Sequence, residues 1–231
     1  MLVKWEKLDS RLQNDEVRKY YEILSRRKTS LFFKRLFDIV FSLLLIIILS
    51  PVLLILAIWI KVDSKGPVFY RQVRVTKNNK DFKIFKFRTM VQNADKIGSL
   101  VTVGADSRIT KVGSKIRKVR LDELPQLFNI LTGDMSFVGT RPEVRKYVEK
   151  YTDEMMATLL LPAGVTSLAS IKYKDEDEIM EVKTAEGIDV DEAYLRYVLP
   201  DKMKYNLEAI GEFSFAKEIA LIFKTAVEVV K

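Results

Sequence analysis

The longest apolar stretch runs from Ile39 to Ile60, 22 residues without a charged side chain, with Ser50-Pro51 near its centre. As one helix it is about 33 Å long, enough to cross a bilayer core. Length alone therefore predicts a straight transmembrane helix. Three features argue against it. Proline removes a backbone donor and deflects the chain. The break leaves arms of 11 and 10 residues, each too short to span. Basic residues flank both ends: Arg26, Arg27, Lys28, Lys34 and Arg35 before, then Lys61, Lys65, Arg71 and Arg74 after. Lys and Arg collect on cytoplasmic flanks. The pattern predicts a re-entrant, hairpin-like helix over 31–61 that enters and leaves by the same face. Backbone groups freed at Pro51 need a partner in lipid, and the Ser50 hydroxyl is the candidate. Asp38 lies three residues after Arg35, a spacing that predicts an ion pair fixing the helix entry.

A period of two follows. Pro67 to Val75 and Phe82 to Met90 read as strands. In the second, Phe82, Ile84 and Lys86 face one way and Lys83, Phe85 and Phe87 the other. The intervening TKNNKD has turn chemistry, so the pair predicts a β-hairpin. Residues 91–120 are polar, with loops, short helices and glycines at Gly98, Gly104 and Gly113. In Leu121–Leu131 (LDELPQLFNIL), Pro125 suits a first helical turn, which places Asp122 and Glu123 at a helix start. Gly133–Gly139 reads as a turn. Thr140-Arg141-Pro142-Glu143 opens a predicted helix to about Leu161, and Pro162–Ser170 reads as a loop. The acidic run at 175–178 and the segment Asp189–Tyr197 read as solvated helices or loops. From Ser214 the spacing of Phe215, Ile219, Ile222, Ala226 and Val229 predicts an amphipathic helix, either core-packing or interfacial. Residues 1–30 are charged, with a weak helical pattern at Val17, Tyr20, Tyr21 and Leu24, and read as a surface helix or loose arm. The expected class is α+β: that arm, the re-entrant helix, and one compact cytoplasmic, membrane-associated domain over 62–231.

Composition narrows the chemistry. The chain has no cysteine and no histidine. That excludes disulfides, thiolate nucleophiles, Ser-His-Asp triads and the usual zinc sites. Catalysis is left to Asp, Glu, Lys, Arg, Tyr and hydroxyls, and hard cations on carboxylates stay open. The net charge of +8 is uneven: residues 1–121 hold 26 basic and 10 acidic side chains, and residues 122–231 hold 13 and 21. The basic excess surrounds the apolar run, where anionic lipid headgroups lie. Nucleic acid is not expected as a partner, because no binding motif accompanies the charge.

Asp122 and Glu123 follow the basic run SKIRKVR, with Arg117, Lys118 and Arg120 close by. A carboxylate can attack phosphorus, and a second can hold Mg²⁺ against substrate phosphates. Nearby cations neutralise the transferring group, and the planar fork of arginine matches phosphate geometry. The residues alone thus point to a membrane-bound, Mg²⁺-assisted phosphoryl transferase. The bland alternative is a pair of solvated helix-capping acids on a lipid-bound scaffold.

The ordered set FKRLFDIV, the apolar run with Ser50-Pro51, GPVFYRQVRV, FKIFKFRTM, ITKVGSKIRKVRLDELPQLFNILTGDMSFVG and TRPE resembles the bacterial sugar transferase family, the monotopic polyprenyl-phosphate phosphoglycosyl transferases. The resemblance covers roughly residues 31–170 and continues weakly beyond. It implies a re-entrant helix at the bacterial inner membrane, a cytoplasmic catalytic domain, and a ping-pong reaction. Asp122 is implied as the nucleophile on the β-phosphate of a UDP-sugar, releasing UMP; a polyprenyl phosphate then takes the phosphosugar. Glu123 matches the paired acid associated with Mg²⁺. Arg141 and Pro142, with Glu143 completing TRPE, match the nucleotide-binding motif; Lys86, Arg88 and Arg117 match phosphate-binding cations. The implied partners are UDP-sugar, polyprenyl phosphate and membrane lipids, with downstream glycosyltransferases and a homodimer left open. Two departures stand out: Thr140 replaces a common proline, and Pro162–Ser167 (PAGVTS) replaces a Lys/Arg-Pro-Gly-Ile-Thr-Gly loop. Both bear on sugar identity more than on reaction type. A single-pass anchor carrying a conventional glycosyltransferase is the remaining alternative.

Overall fold

A computed structural model of the chain describes residues 2–94, 106–173 and 175–230. Gly98 and Gly104 lie outside them. The fold is α+β. Short 3-10 turns at Trp5–Lys7 and Ser10–Leu12 precede helix α1 (Asp15–Ser25). These residues are neither a loose arm nor a mere surface helix. Leu8, Leu12, Val17 and Leu24 are buried in the main core with Tyr147, Val148, Met156 and Met203. Arg11 also donates to the carbonyls of Val148 and Tyr151. The anchors are divided among three short elements, so no single helical period reveals them.

Helix α2 spans Lys28–Asp63, 36 residues, or about 54 Å at helical rise. It is continuous through Pro51 rather than divided into two arms. The carbonyl that Pro51 leaves without its helical donor is that of Ile47, and the Ser50 hydroxyl donates to it at 2.8 Å. One face meets the rest of the protein along the whole length: Leu31, Lys34, Asp38 and Ser42 are buried, then Leu45 and Leu49 pack inward, then Leu56 and Ile60. The other face is apolar and exposed, from Phe33 and Val40 through Ile47 and Ile48 to Ile55 and Trp59. The expected Asp38–Arg35 pair does not form. Arg35 caps the C-terminal end of the helix that follows the acidic pair, donating to the Ile130 and Leu131 carbonyls at 2.7 and 2.8 Å. Asp38 instead accepts from the Ser136 hydroxyl and the Phe137 amide at 3.0 and 3.2 Å. Each group thereby reaches a partner in a different element, and both tie α2 to the domain.

The hairpin forms as β1 (Phe69–Thr76) and β2 (Lys80–Phe87), antiparallel, with Phe69 opposite Phe87 and Thr76 opposite Lys80. Asn78 and Asn79 take the left-handed conformations of the turn. Asn129 meets the outer edge of β2: its side chain accepts from the Phe85 amide and donates to the Lys83 carbonyl. Helix α3 (Lys111–Lys118) leads to a 3-10 turn at Leu121–Glu123 and then α4 (Gln126–Thr132). Gly133 ends α4 with φ 93°.

The segment read as a turn at 133–139 contains a strand, β3 (Met135–Val138). The loop read at 162–170 contains β4 (Ala163–Thr166) and the start of α6 (Leu168–Lys172). β3 and β4 pair in parallel. At four residues each they are too short to show a period. The long helix expected from Thr140 to Leu161 is broken up. Pro142 biases its predecessor towards extended backbone, and Val75 donates its amide to the Glu143 carbonyl. Only α5 (Arg145–Val148) and a 3-10 stretch (Met155–Leu160) remain helical. Helices α7 (Glu176–Ala185), α8 (Val190–Ala193) and α9 (Leu199–Gly211) complete the main core around a π turn at Tyr194–Val198. Helix α10 (Phe215–Val230) returns to α2, with Phe215 about equally close to Phe33 and Phe37. Along it Leu221 is buried, while Phe223 and Val227 are exposed.

Candidate active site

Leu121, Leu124, Leu127 and Ile130 recur every three residues and pack towards α2 and the hairpin. That stripe fixes the acidic turn against the domain. Arg120, immediately before it, is left-handed at φ 58°. A non-glycine residue held there costs about 1–2 kcal/mol, and such strain collects at functional sites. The bend carries the chain from α3 into the turn that presents Asp122 and Glu123.

The two acids have opposite surroundings. Glu123 Oε1 accepts from Arg141 Nη2 at 2.8 Å and Lys86 Nζ at 3.0 Å, with Arg120 Nη1 at 3.9 Å. Burial opposes its ionisation, but the Arg141 and Lys86 charges prevail and hold the carboxyl well below the usual range. Asp122 is buried, and its Oδ1 has no hydrogen-bond partner. Burial pushes its carboxyl above the usual range; the Lys86 charge opposes this, the Glu123 charge adds to it, and Arg117 opposes it. Adjacent carboxyls driven apart in this way are equipped for different jobs.

Three parts of the chain meet here. β2 supplies Lys86, the 3-10 turn supplies the acids, and the segment leaving β3 supplies Arg141. Arg117, in the last turn of α3, lies close enough to act electrostatically on Asp122. Arg88 is placed elsewhere: it is buried and donates to the Lys65 carbonyl and to the carbonyl and hydroxyl of Ser64, closing the turn after α2. Its Nε has no partner. The Pro142 carbonyl accepts from Arg74 Nη1 at 3.2 Å. Glu143 accepts from the Tyr194 hydroxyl, and its charge acts on Arg141 and Arg74. Arg74 is the residue that sequence reasoning missed as a site neighbour. It sits between Gln72 and Pro142 and feels the charge of Arg141.

The carboxylates fit a Mg²⁺ ion in one respect. Mg²⁺ is usually held by one or two carboxylates plus substrate phosphates and water, and Asp122 Oδ1 is a buried acceptor with nothing bound to it. Among the described residues no cluster of three acidic ligands forms a self-sufficient metal cage.

The acidic pair, with Lys86 and Arg141 on Glu123, thus sits on a domain packed along one long helix whose outer face is apolar and exposed. The chain belongs to the bacterial sugar transferase family, whose model matches residues 29–231. It is 36% identical over 197 residues to the UDP-N-acetylgalactosamine-undecaprenyl-phosphate N-acetylgalactosaminephosphotransferase of Aeromonas hydrophila, covering 84% of this chain and 43% of that one. Against the UDP-glucose:undecaprenyl-phosphate glucose-1-phosphate transferase of Klebsiella pneumoniae it is 42% identical over 170 residues, covering 71% and 36%. The exopolysaccharide production protein PSS of Rhizobium leguminosarum bv. phaseoli is 35% identical over 201 residues, covering 84% and 93%. The chain thus spans less than half the length of the first two relatives.

Proposed function

We propose that this protein moves a sugar-1-phosphate from a UDP-sugar to a polyprenyl phosphate at the cytoplasmic face of the bacterial inner membrane, in exopolysaccharide or related glycan assembly. The observation that carries the reading is the unpartnered, buried Oδ1 of Asp122 beside a Glu123 already engaged by Arg141 and Lys86. Asp122 Oδ1 attacks the β-phosphorus of the donor. The bond from that phosphorus to the bridging oxygen breaks, and UMP leaves with the electron pair. An oxygen of the polyprenyl phosphate then attacks the same phosphorus, and the bond to Asp122 breaks, restoring the carboxylate. Both nucleophiles are anions, so neither half-reaction needs a general base, which suits a chain without histidine. Glu123 keeps Arg141 and Lys86 aimed at the site, where their charges offset those on the phosphoryl oxygens. Asp122 and Glu123 are the residues that would hold Mg²⁺, which supplies charge neutralisation on the donor diphosphate.

Helix α2 supports a monotopic seat. One of its faces packs on a single domain both before and after Pro51. A helix crossing the bilayer upright would drag that domain into the hydrocarbon. Lying shallowly, with the exposed apolar face down, it keeps both ends on one side. The test is a panel of UDP-sugars with undecaprenyl phosphate and detergent-solubilised enzyme, scored by UMP release, with the product identified. A diphosphate-linked lipid and a phosphosugar adduct on Asp122 without acceptor are expected. A monophosphate-linked lipid, or an adduct on Glu123, overturns the mechanism.

A further inference from the structure

We propose that Glu218 and Thr225 on α10 are positioning residues for Arg141, acting through the β3–β4 sheet; this rests on the reading of Arg141 as a donor-binding residue. Neither side chain approaches the acidic pair. Glu218 acts through Lys34 on β3, the strand that leads to Arg141, and Thr225 touches β4, the strand paired with it. Glu218 pairs with Lys34 of α2, and both are nearly inaccessible to solvent. The same Lys34 ammonium donates to the Val138 carbonyl at 2.7 Å, at the last residue of β3. Arg141 follows three residues later. Further along α10, the Thr225 hydroxyl lies 2.8 Å from that of Thr166, the last residue of β4. The Thr166 carbonyl in turn accepts from the Gly139 amide at 3.0 Å, and Gly164 donates to the Thr140 carbonyl at 2.9 Å.

The sheet has no slack to absorb a shift. A Cβ on Gly139 would lie 2.5 Å from the Pro162 carbonyl oxygen, and one on Gly164 would lie 2.2 Å from the Gly139 nitrogen. Backbones in such contact move together, so a displacement of either strand end passes into Thr140 and Arg141. Arg141 reaches Glu123 through one nitrogen, and a small misplacement of its fork alters phosphate recognition more than it alters the fold. A buried ion pair is weak evidence for stability, because desolvation offsets attraction. Its attested use is fixing one arrangement over another, which is the role assigned to Lys34–Glu218.

The experiment compares wild type, Glu218→Gln, Thr225→Val and the exposed control Lys224→Ala as full chains in detergent, by hydrogen exchange and donor kinetics. In Glu218→Gln, exchange across 136–141 is expected to rise about tenfold, the scale of one lost charged hydrogen bond, while the hairpin strands stay unchanged. Donor KM is expected to rise about tenfold with kcat within about twofold, the signature of misplaced binding. Glu218→Asp restores part of both, Thr225→Val moves both the same way, and Lys224→Ala moves neither. Unchanged exchange at 136–141, a rise shared with the hairpin, or a loss confined to kcat overturns the proposal. If Glu218→Gln does not fold, Thr225→Val carries the test. Absence of UMP release by wild type with every donor refutes the proposed function instead, and the exchange measurement still judges the two grips.

Discussion

Asp122→Asn should abolish turnover and make the protein more stable. The wild-type carboxylate is buried, with one oxygen left without a partner. An unsatisfied buried polar atom costs about 1–3 kcal/mol, and more when it carries charge. The sign follows from linkage. The carboxyl titrates above its usual range in the folded state, so the unfolded chain ionises more readily. The penalty appears as pH rises through the unfolded value, is complete above the folded value, and disappears below both. Asparagine has nearly the same shape and no charge. For a chain of this size, 1 kcal/mol corresponds to about 2–4 °C in Tm. The expected gain in detergent is therefore about 3 °C at neutral pH, shrinking towards zero near pH 4. Glu123→Gln should do the reverse at neutral pH, because it strands the charges of Lys86 and Arg141. Thermal melts of the three proteins across pH check this directly. A lower Tm for Asp122→Asn at neutral pH, or a gain that ignores pH, would refute the account of Asp122 as a buried acid with one unpartnered oxygen.

Arg141→Lys should lower donor kcat/KM by about ten- to a hundredfold, because a point charge cannot reproduce a fork that serves Glu123 and a phosphate together; unchanged kinetics would remove Arg141 from the site. Exhaustive EDTA treatment should abolish UMP release, and added Mg²⁺ should restore it; full activity without metal would refute the expected requirement. Single cysteines at Ser25 and Lys65, one before and one after α2, should both resist periplasmic labelling in intact cells, and labelling of only one would show a spanning helix.

Local signals were readable from the residues, and pairings between distant parts were not. The hairpin was legible because β2 alternates over several residues and TKNNKD turns. The Ser50 role was legible because Pro51 frees a nearby carbonyl and the hydroxyl lies one residue away. The acidic pair was legible from its place between a basic run and Pro125. β3 and β4 were missed because four residues carry no usable period and their partner is a distant strand. Sequence distance pairs Asp38 with Arg35, whereas its partners Ser136 and Phe137 lie 98 and 99 residues away. Arg88 and Glu143 were read as binding residues from motif position. Their side chains contact Ser64, Lys65 and Tyr194, which a linear reading has no means to bring near.

Asn129 has a consequence for how the chain behaves among its own copies. A two-stranded ribbon leaves a row of amides and carbonyls facing outward, and another molecule's extended segment can add to that row. On β2 the Phe85 amide and Lys83 carbonyl would be such a docking point, and Asn129 occupies both with one carboxamide. On β1 the Glu143 carbonyl takes the Val75 amide. The exposed Phe69 and Val73 make the ribbon adhesive, and membrane confinement raises the local concentration of copies. Asn129→Leu would keep the helix and fill the space, yet open that edge, and the mark of its loss is strand-mediated aggregation during expression.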